Sequence, residues 1–152
     1  PTYAPIAIEP TNNSSNLVPL QYVHVRCCSL LHLGEREKLI ELRDRNFEYL
    51  IWHIAQPQPI NWLDTEARLW LSQPAEWNLL LQLLKVTDAS VSKSSNWYKL
   101  ASNLSQAMLI FDAECRIMGA VKRRFPQKAI ARLGLVALVQ YWLQQLLYSS
   151  NE

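Results

Sequence analysis

The side chains best suited to chemistry are basic residues near the C-terminus of this 152-residue chain. Residues 1–112 hold 9 Lys/Arg and 11 Asp/Glu, a net charge of −2, whereas residues 113–152 hold 6 and 2, a net charge of +4. A basic turn beside an aromatic residue, here Phe125, suits an RNA backbone with unstacked loop bases, although a solvated surface turn has the same composition. The basic residues are Arg116, Lys122, Arg123, Arg124, Lys128 and Arg132.

Sites for metal ions or catalysis lack the residues that they need. His24 lies at helical spacing from Cys27 and Cys28, but this arrangement gives two ligands, whereas zinc takes four, or three with a water molecule. The sequence has no CxxC or HxxxH pair, no GxSxG motif and no glycine-rich phosphate loop. We therefore predict no metal, no cofactor and no enzymatic activity.

The composition indicates a single helical domain. Hydrophobic residues make up 49% of the chain, which is enough for a core, while three glycines are few for a βαβ or β-sandwich fold. No segment alternates between apolar and polar residues over six positions, so we predict an all-α bundle of five to six helices. Three cysteines, two of them adjacent, cannot form a regular disulfide framework and favour a reducing, cytoplasmic location.

The predicted elements follow from apolar periodicity and from helix-end signals. Residues 1–16 contain three prolines and are predicted to be a flexible tail or linker before a helical domain over residues 17–150. Gly34 and Gly119 are expected to end helices, Asp64 to begin one, and residues 88–96 and 120–125 to form a polar loop and a basic link. The main helices are predicted over Leu17–Leu33, Glu35–Ile54, Pro74–Val86, Trp97–Met118 and Pro126–Tyr148.

The last predicted helix must be distinguished from a membrane-spanning helix. Leu133–Asn151 contains no formal charge, but three glutamines interrupt it and only about 15 positions are rich in apolar residues, short of the roughly 20 that a span requires. We therefore predict the central helix of a bundle and no membrane partner, with Gly134 marking a close helix–helix approach.

Three stretches of the chain resemble one known family. Residues 20–30 (LQYVHVRCCSL) are similar to a Q-Y-x-H-x-R opening followed by S-[IL]-[LI], and residues 115–119 (CRIMG) are similar to a C-R-[VI]-[LM]-G helix end. Residues 131–136 (ARLGLV) match an A-R-L-x-L-V start of a final helix. Their order and spacing over about residues 17–148 resemble the DALR anticodon-binding domain of arginyl-tRNA synthetases.

The resemblance implies an all-α bundle that binds the anticodon stem and loop of a tRNA. Asp112 stands where that family usually has a tyrosine, and no HIGH-like or KMSKS-like sequence is present. The expected function is therefore non-catalytic tRNA binding, by a stand-alone relative or a part of a larger protein, with no small-molecule cofactor. The predicted RNA-binding residues are Gln21, Tyr22 and Arg26 toward the loop, Arg116 in the C-R pair, and Lys122, Arg123, Arg124 and Lys128 on phosphates.

Two alternatives remain open from the residues. Arg26 and Arg116 could be structural, each bonding a helix end or an acid such as Asp112. The whole bundle could instead be a protein-interaction module that has lost tRNA recognition, which the acidic Asp112 and the six tryptophans favour.

Overall fold

The computed structural model of the protein describes residues 4–43, 53–92 and 96–149. This part of the chain is mostly helical, with five helices and one two-stranded antiparallel sheet, and the predicted all-α bundle is confirmed. The elements are α1 (Ala4–Arg36), β1 (Glu41–Leu42), β2 (Ile54–Gln56), α2 (Pro74–Ser92), α3 (Trp97–Glu114), α4 (Ala120–Arg124) and α5 (Pro126–Ser149).

The last helix, α5, is the centre of the bundle, and α1, α2, α3 and α4 all contact it. Pro126–Leu147 is long and apolar enough to cross a membrane by length and composition alone. However, 61% of its most apolar stretch is buried inside the protein. Packing against the other helices therefore accounts for this apolar composition. Its most deeply buried apolar side chains include Leu133, Leu135, Val136, Val139 and Leu143.

Two glycines mark close contacts on α5, but not in the predicted way. A Cβ atom added to Gly34 would lie 2.7 Å from a methyl group of Leu133, so the close helix–helix approach of α1 and α5 occurs at Gly34. At Gly134, a Cβ atom would lie 2.6 Å from the ring of Trp62 and 2.7 Å from Ile60. The prediction of a helix–helix contact at Gly134 is therefore wrong: this glycine admits two side chains from the segment that follows β2.

The first helix is longer than predicted. It begins at Ala4 and not at Leu17, so residues 4–16 of the predicted tail are helical, while residues 1–3 lie outside the described residues. Pro5 falls in the first turn, where its missing N–H is not needed. Pro10 and Pro19 lie inside the helix, and each leaves one carbonyl without its usual donor. The sequence predicts a tail over residues 1–16 because of the prolines there, since proline normally disfavours a helix interior.

The end of α1 is a Schellman motif, which corrects the prediction of a helix over Glu35–Ile54. The N–H of Leu39 donates to the carbonyl of Gly34 (3.0 Å), and the N–H of Lys38 donates to that of Glu35 (3.0 Å). Lys38 has a φ of 61°, the left-handed conformation in which this motif closes the helix. The chain then turns into β1, which pairs with β2, and residues 44–52 of the predicted helix lie outside the described residues.

Asp64 closes a turn and does not begin a helix, contrary to the prediction. Its Oδ1 accepts hydrogen bonds from the backbone N–H groups of Glu66 (2.8 Å) and Arg68 (2.9 Å), and these bonds lower the pKa of its carboxyl group. The turn joins Leu63 to Leu69 in an isolated β-bridge. An aspartate can support either structure, because its side chain accepts nearby backbone N–H groups in turns and at helix starts alike.

The starts of α2 and α5 are confirmed at Pro74 and Pro126, each with proline in the first turn. Three other boundaries differ from the prediction. α2 continues to Ser92 through part of the predicted polar loop, and residues 93–95 lie outside the described part of the chain. α3 ends at Glu114, four residues earlier than predicted. Gly119 does not end α3; with a φ of 78° it precedes α4, which forms where a basic link is predicted.

Candidate functional site

A groove of about 580 Å³ lies between α1, the C-terminal end of α3 and residues 116–120 that lead into α4. Its charged lining comes from Arg26 on α1, Asp112 on α3 and Arg116 just after α3. These residues are up to 90 positions apart in the sequence. The packing of α1 and α3 against α5 and against each other, together with the early end of α3, brings them into one concave surface.

Arg26 and Asp112 form an ion pair inside this groove. The Nε of Arg26 donates to Oδ2 of Asp112 at 2.8 Å, and Nη2 donates to Oδ1 at 3.3 Å. The bond raises the pKa of the Arg26 guanidinium. The side chains remain 44% and 23% exposed, respectively, so the pair is accessible from the groove. A bond between Arg26 and an acid such as Asp112 is one of the alternatives from the sequence, and this bond is present in the structure.

A second arginine–carboxylate pair lies next to the groove. Arg132 on α5 donates from Nε to Oε2 of Glu76 on α2 at 2.8 Å, and both side chains are buried. Arg132 Nη1 also donates to the backbone carbonyl of Arg116, while the other oxygen of Glu76 accepts the N–H of Gln73 at 2.9 Å. Arg132 is therefore not part of the basic surface. It fixes the backbone of Arg116 and joins three segments of the bundle.

The short helix α4 carries most of the predicted phosphate-binding cations. Its first residue, Ala120, lines the groove, and none of its residues is buried. Lys122 bonds to Glu37 beyond the end of α1, which lowers the pKa of the Glu37 carboxyl group. Arg123 and Arg124 are exposed and form no ion pair with any residue that the structure describes. The short helix α4 therefore lies at the rim of the groove, and two of its arginines are exposed to solvent.

Five of the eight predicted site residues lie in the groove or at its rim. Arg26 and Arg116 line the groove, and Lys122, Arg123 and Arg124 lie at its rim. The remaining three lie outside the lining: Tyr22 is exposed one helical turn before Arg26, Gln21 is exposed beside it, and Lys128 is in the first turn of α5.

Sequence reasoning did not find the roles of Glu76 and Glu37. The segment Gln73-Pro74-Ala75-Glu76 does carry a usable signal, because a glutamate three residues after a helix cap often accepts the cap's N–H. The bond from Glu76 to Gln73 is of this kind. No local signal marks Glu37 as the partner of Lys122, since the two residues are 85 positions apart.

The environments of the three cysteines and of the partly buried His24 shift their pKa values. Burial raises the pKa of the Cys27 thiol, raises that of Cys28 to about 11, and raises that of Cys115, whereas a nucleophilic thiol has a lowered pKa. Burial lowers the pKa of His24, which contacts Gln140 on α5 at 3.2 Å. Within residues 17–43, 53–92 and 96–147, no three His, Cys, Asp or Glu side chains converge on one point.

Comparison with known proteins gives no assignment: no family model, no curated protein and no solved structure matches this chain.

Proposed function

We propose that this chain is a non-catalytic RNA-binding domain that binds the anticodon stem and loop of a tRNA in the manner of the DALR domains that it resembles. One observation carries the proposal: a groove brings Arg26 and Arg116 together and has the basic helix α4 at its rim. A groove of this size is within the range of about 300–1,000 Å³ that is common for ligand sites, so it can admit an unstacked base.

The charges around the groove support phosphate contacts. Six of the predicted site residues are cations, and two of them, Arg26 and Lys122, are partly neutralised by acids. Four cations form no ion pair with a described residue, so the surface keeps an excess of positive charge. They are Arg116, Arg123, Arg124 and Lys128.

Aromatic and planar groups near the groove support contacts with loop bases. Tyr22 is 63% exposed and lies on the same face of α1 as Arg26, one turn away. RNA loops present unstacked bases that stack on tyrosine rings and on guanidinium planes. Asp112, which would repel a phosphate on its own, is bonded to Arg26 and so adds little net negative charge.

The experiment that tests this proposal is a fluorescence anisotropy titration of labelled tRNA at about 50 and 200 mM salt. The test variant is Arg123→Gln with Arg124→Gln on α4. The matched control is Lys85→Gln with Lys99→Gln, which removes the same charge from exposed positions on α2 and α3. Four phosphate contacts give a log–log salt slope of about −3, and losing two brings it to roughly −1.5.

The proposal predicts a steep salt slope for the unchanged chain and for the control, with a shallower slope and weaker binding for the α4 variant. Equal losses in both variants would mean that only net charge attracts RNA. If the chain fails to bind tRNA at several tens of micromolar protein and low salt, the RNA proposal is wrong and the protein-interaction alternative takes its place.

A further inference from the structure

The helix α2 presents a row of large apolar side chains to solvent. Trp77, Leu81, Leu84 and Val91 are 55%, 47%, 61% and 79% exposed. The opposite side of the same helix is buried against the bundle, mainly against α3, through residues such as Leu79 and Leu83. The packing of the domain therefore does not use the outer face of α2. Contiguous apolar surface of this kind often marks an interaction site.

The spacing of this row is that of a helix–helix seam. Trp77, Leu81, Leu84, Asp88 and Val91 follow one another at intervals of four, three, four and three residues. This alternation keeps side chains on one line along a helix that packs lengthwise against another helix. We name these five residues the α2 seam. Tryptophan is also among the residue types most enriched at interaction hot spots.

We propose that the α2 seam is the contact surface for a second copy of this chain, with the two α2 helices antiparallel. A two-fold axis between residues 82 and 83 places Leu81 of each copy opposite Leu84 of the other. The same axis places Trp77 opposite Asp88 of the second copy. The indole N–H is a donor and the carboxylate is an acceptor, so the polar group in each seam meets a suitable partner.

The charge on the seam selects this orientation. In a symmetric parallel pair each residue faces its own counterpart, so two Asp88 carboxylates would meet in a contact from which water is excluded. Like charges in that position oppose association. The antiparallel register separates the carboxylates and sets Leu81 against Leu84, while Val91 lies opposite Pro74 of the second copy. Since the seam is complementary to itself, the second copy is the occupant that the residues favour.

The seam is separate from the groove proposed for RNA. No residue of α2 lines that groove, which is formed by α1, the end of α3 and the start of α4. Self-association is therefore independent of the proposed function, and each copy in a dimer would keep its own groove. A single helix face is smaller than the roughly 800 Å² per partner of a standard interface. We therefore expect a weak dimer, with a dissociation constant on the order of tens of micromolar.

Sedimentation equilibrium of the full chain from about 5 to 300 μM tests this proposal. The variant is Leu84→Glu, and the matched control is Val18→Glu, since Val18 on α1 is equally exposed at 61%. We expect a monomer–dimer equilibrium for the unchanged chain and the control, and a monomer for Leu84→Glu. A chain that is monomeric at every concentration, or a dimer that Leu84→Glu does not weaken more than Val18→Glu, overturns the proposal.

Cross-linking tests the register without placing a charge in the seam. Chains carrying Leu81→Cys and Leu84→Cys, with tags of different size, are mixed and oxidised, and the unchanged chain measures background from the native cysteines. The antiparallel register predicts mainly the mixed disulfide between the two variants. Disulfides between identical variants, or no cross-link above background, contradict the register and would also decide the matter if Leu84→Glu failed to fold.

Discussion

Two arginine–carboxylate pairs in this protein have the same closest distance and different surroundings. Arg132 and Glu76 meet at 2.8 Å with side chains that are 4% and 0% exposed, whereas Arg26 and Asp112 meet at 2.8 Å with side chains that are 44% and 23% exposed. The buried pair also bonds the carbonyl of Arg116 and the N–H of Gln73, so both oxygens of Glu76 have partners.

This difference in burial gives the two pairs different roles. A buried pair that loses one member leaves an uncompensated charge in the interior, so the Arg132 pair fixes the arrangement of α2, α5 and the segment after α3. An exposed pair contributes little to stability, because water already solvates both groups. The proposed function therefore requires Arg26 and Asp112, and not the buried pair, to exchange partners with RNA in the groove.

The largest expected effect is on stability. Arg132→Met leaves Glu76 buried without its cation and should lower the free energy of unfolding by about 3–5 kcal/mol. Arg26→Met removes the exposed arginine and should cost about 0–1 kcal/mol. Urea denaturation followed by circular dichroism measures both values. Similar losses in the two variants would mean that burial does not separate the two pairs.

A double variant separates the effect of the unpaired charge from the effect of lost packing. Arg132→Met combined with Glu76→Gln leaves no buried charge and keeps an oxygen for the N–H of Gln73. It should therefore be more stable than Arg132→Met alone, because an unpaired buried charge costs more than a lost pair. If the double variant is less stable, the loss in the single variant comes from packing and not from charge.

The next effect is on RNA affinity and depends on the proposed function. Asp112→Asn removes the carboxylate that holds Arg26 and should tighten tRNA binding about fivefold, since one unit charge near a phosphate in water is worth roughly 1 kcal/mol. Glu114→Gln removes an acid from the same helix outside the groove lining and should change the affinity less than about twofold. The anisotropy titration measures both. Equal tightening would show that Asp112 has no particular role.

A smaller effect concerns pH and the contact between α1 and α5. Burial lowers the pKa of His24 in the folded protein, so the unfolded chain binds its proton more readily. The stability contributed by neutral His24 is present above about pH 6.5 and is lost as the pH falls below that value. The unfolding free energy of His24→Gln should fall less steeply between pH 7 and 5.5 than that of the unchanged chain. The exposed His53→Gln serves as the control and should retain the original slope.

The smallest effect is expected at Ser105 on α3. Its side chain is 4% exposed, and its hydroxyl has no hydrogen-bond partner among the described residues. Removing a buried polar group that makes no bond relieves its desolvation cost, so Ser105→Ala should be neutral or stabilising by up to about 1 kcal/mol. Thermal denaturation measures the change. A clear loss of stability would indicate that the hydroxyl is bonded in solution.

The sequence predicts well the helices whose signals are local. Apolar periodicity and a proline in the first turn correctly place the starts of α2 and α5. The end of α1 could not be predicted, because Lys38 occupies the left-handed position that glycine or asparagine usually marks. The sequence predicts that Gly34 ends the helix, but this glycine lies inside α1, where Leu133 packs on it.

The candidate site could be predicted only as a set of residue types. The charge count shows that basic residues concentrate near the C-terminus, but it groups Arg132 with the surface cations. Its burial depends on Glu76, which is 56 positions away, and the pairing of Arg26 with Asp112 spans 86 positions. Such long-range contacts are fixed by the packing of whole helices and leave no local pattern in the sequence.

The most direct test of the RNA proposal is a map of backbone amide chemical shifts by NMR as an anticodon stem-loop RNA is added. We predict that the amides of Arg26, Arg116 and Gly119 and those of α4 shift with RNA concentration, while those of the α2 seam do not. Shifts confined to α2, or none at RNA concentrations above several hundred micromolar, would contradict the assignment of RNA binding to the groove.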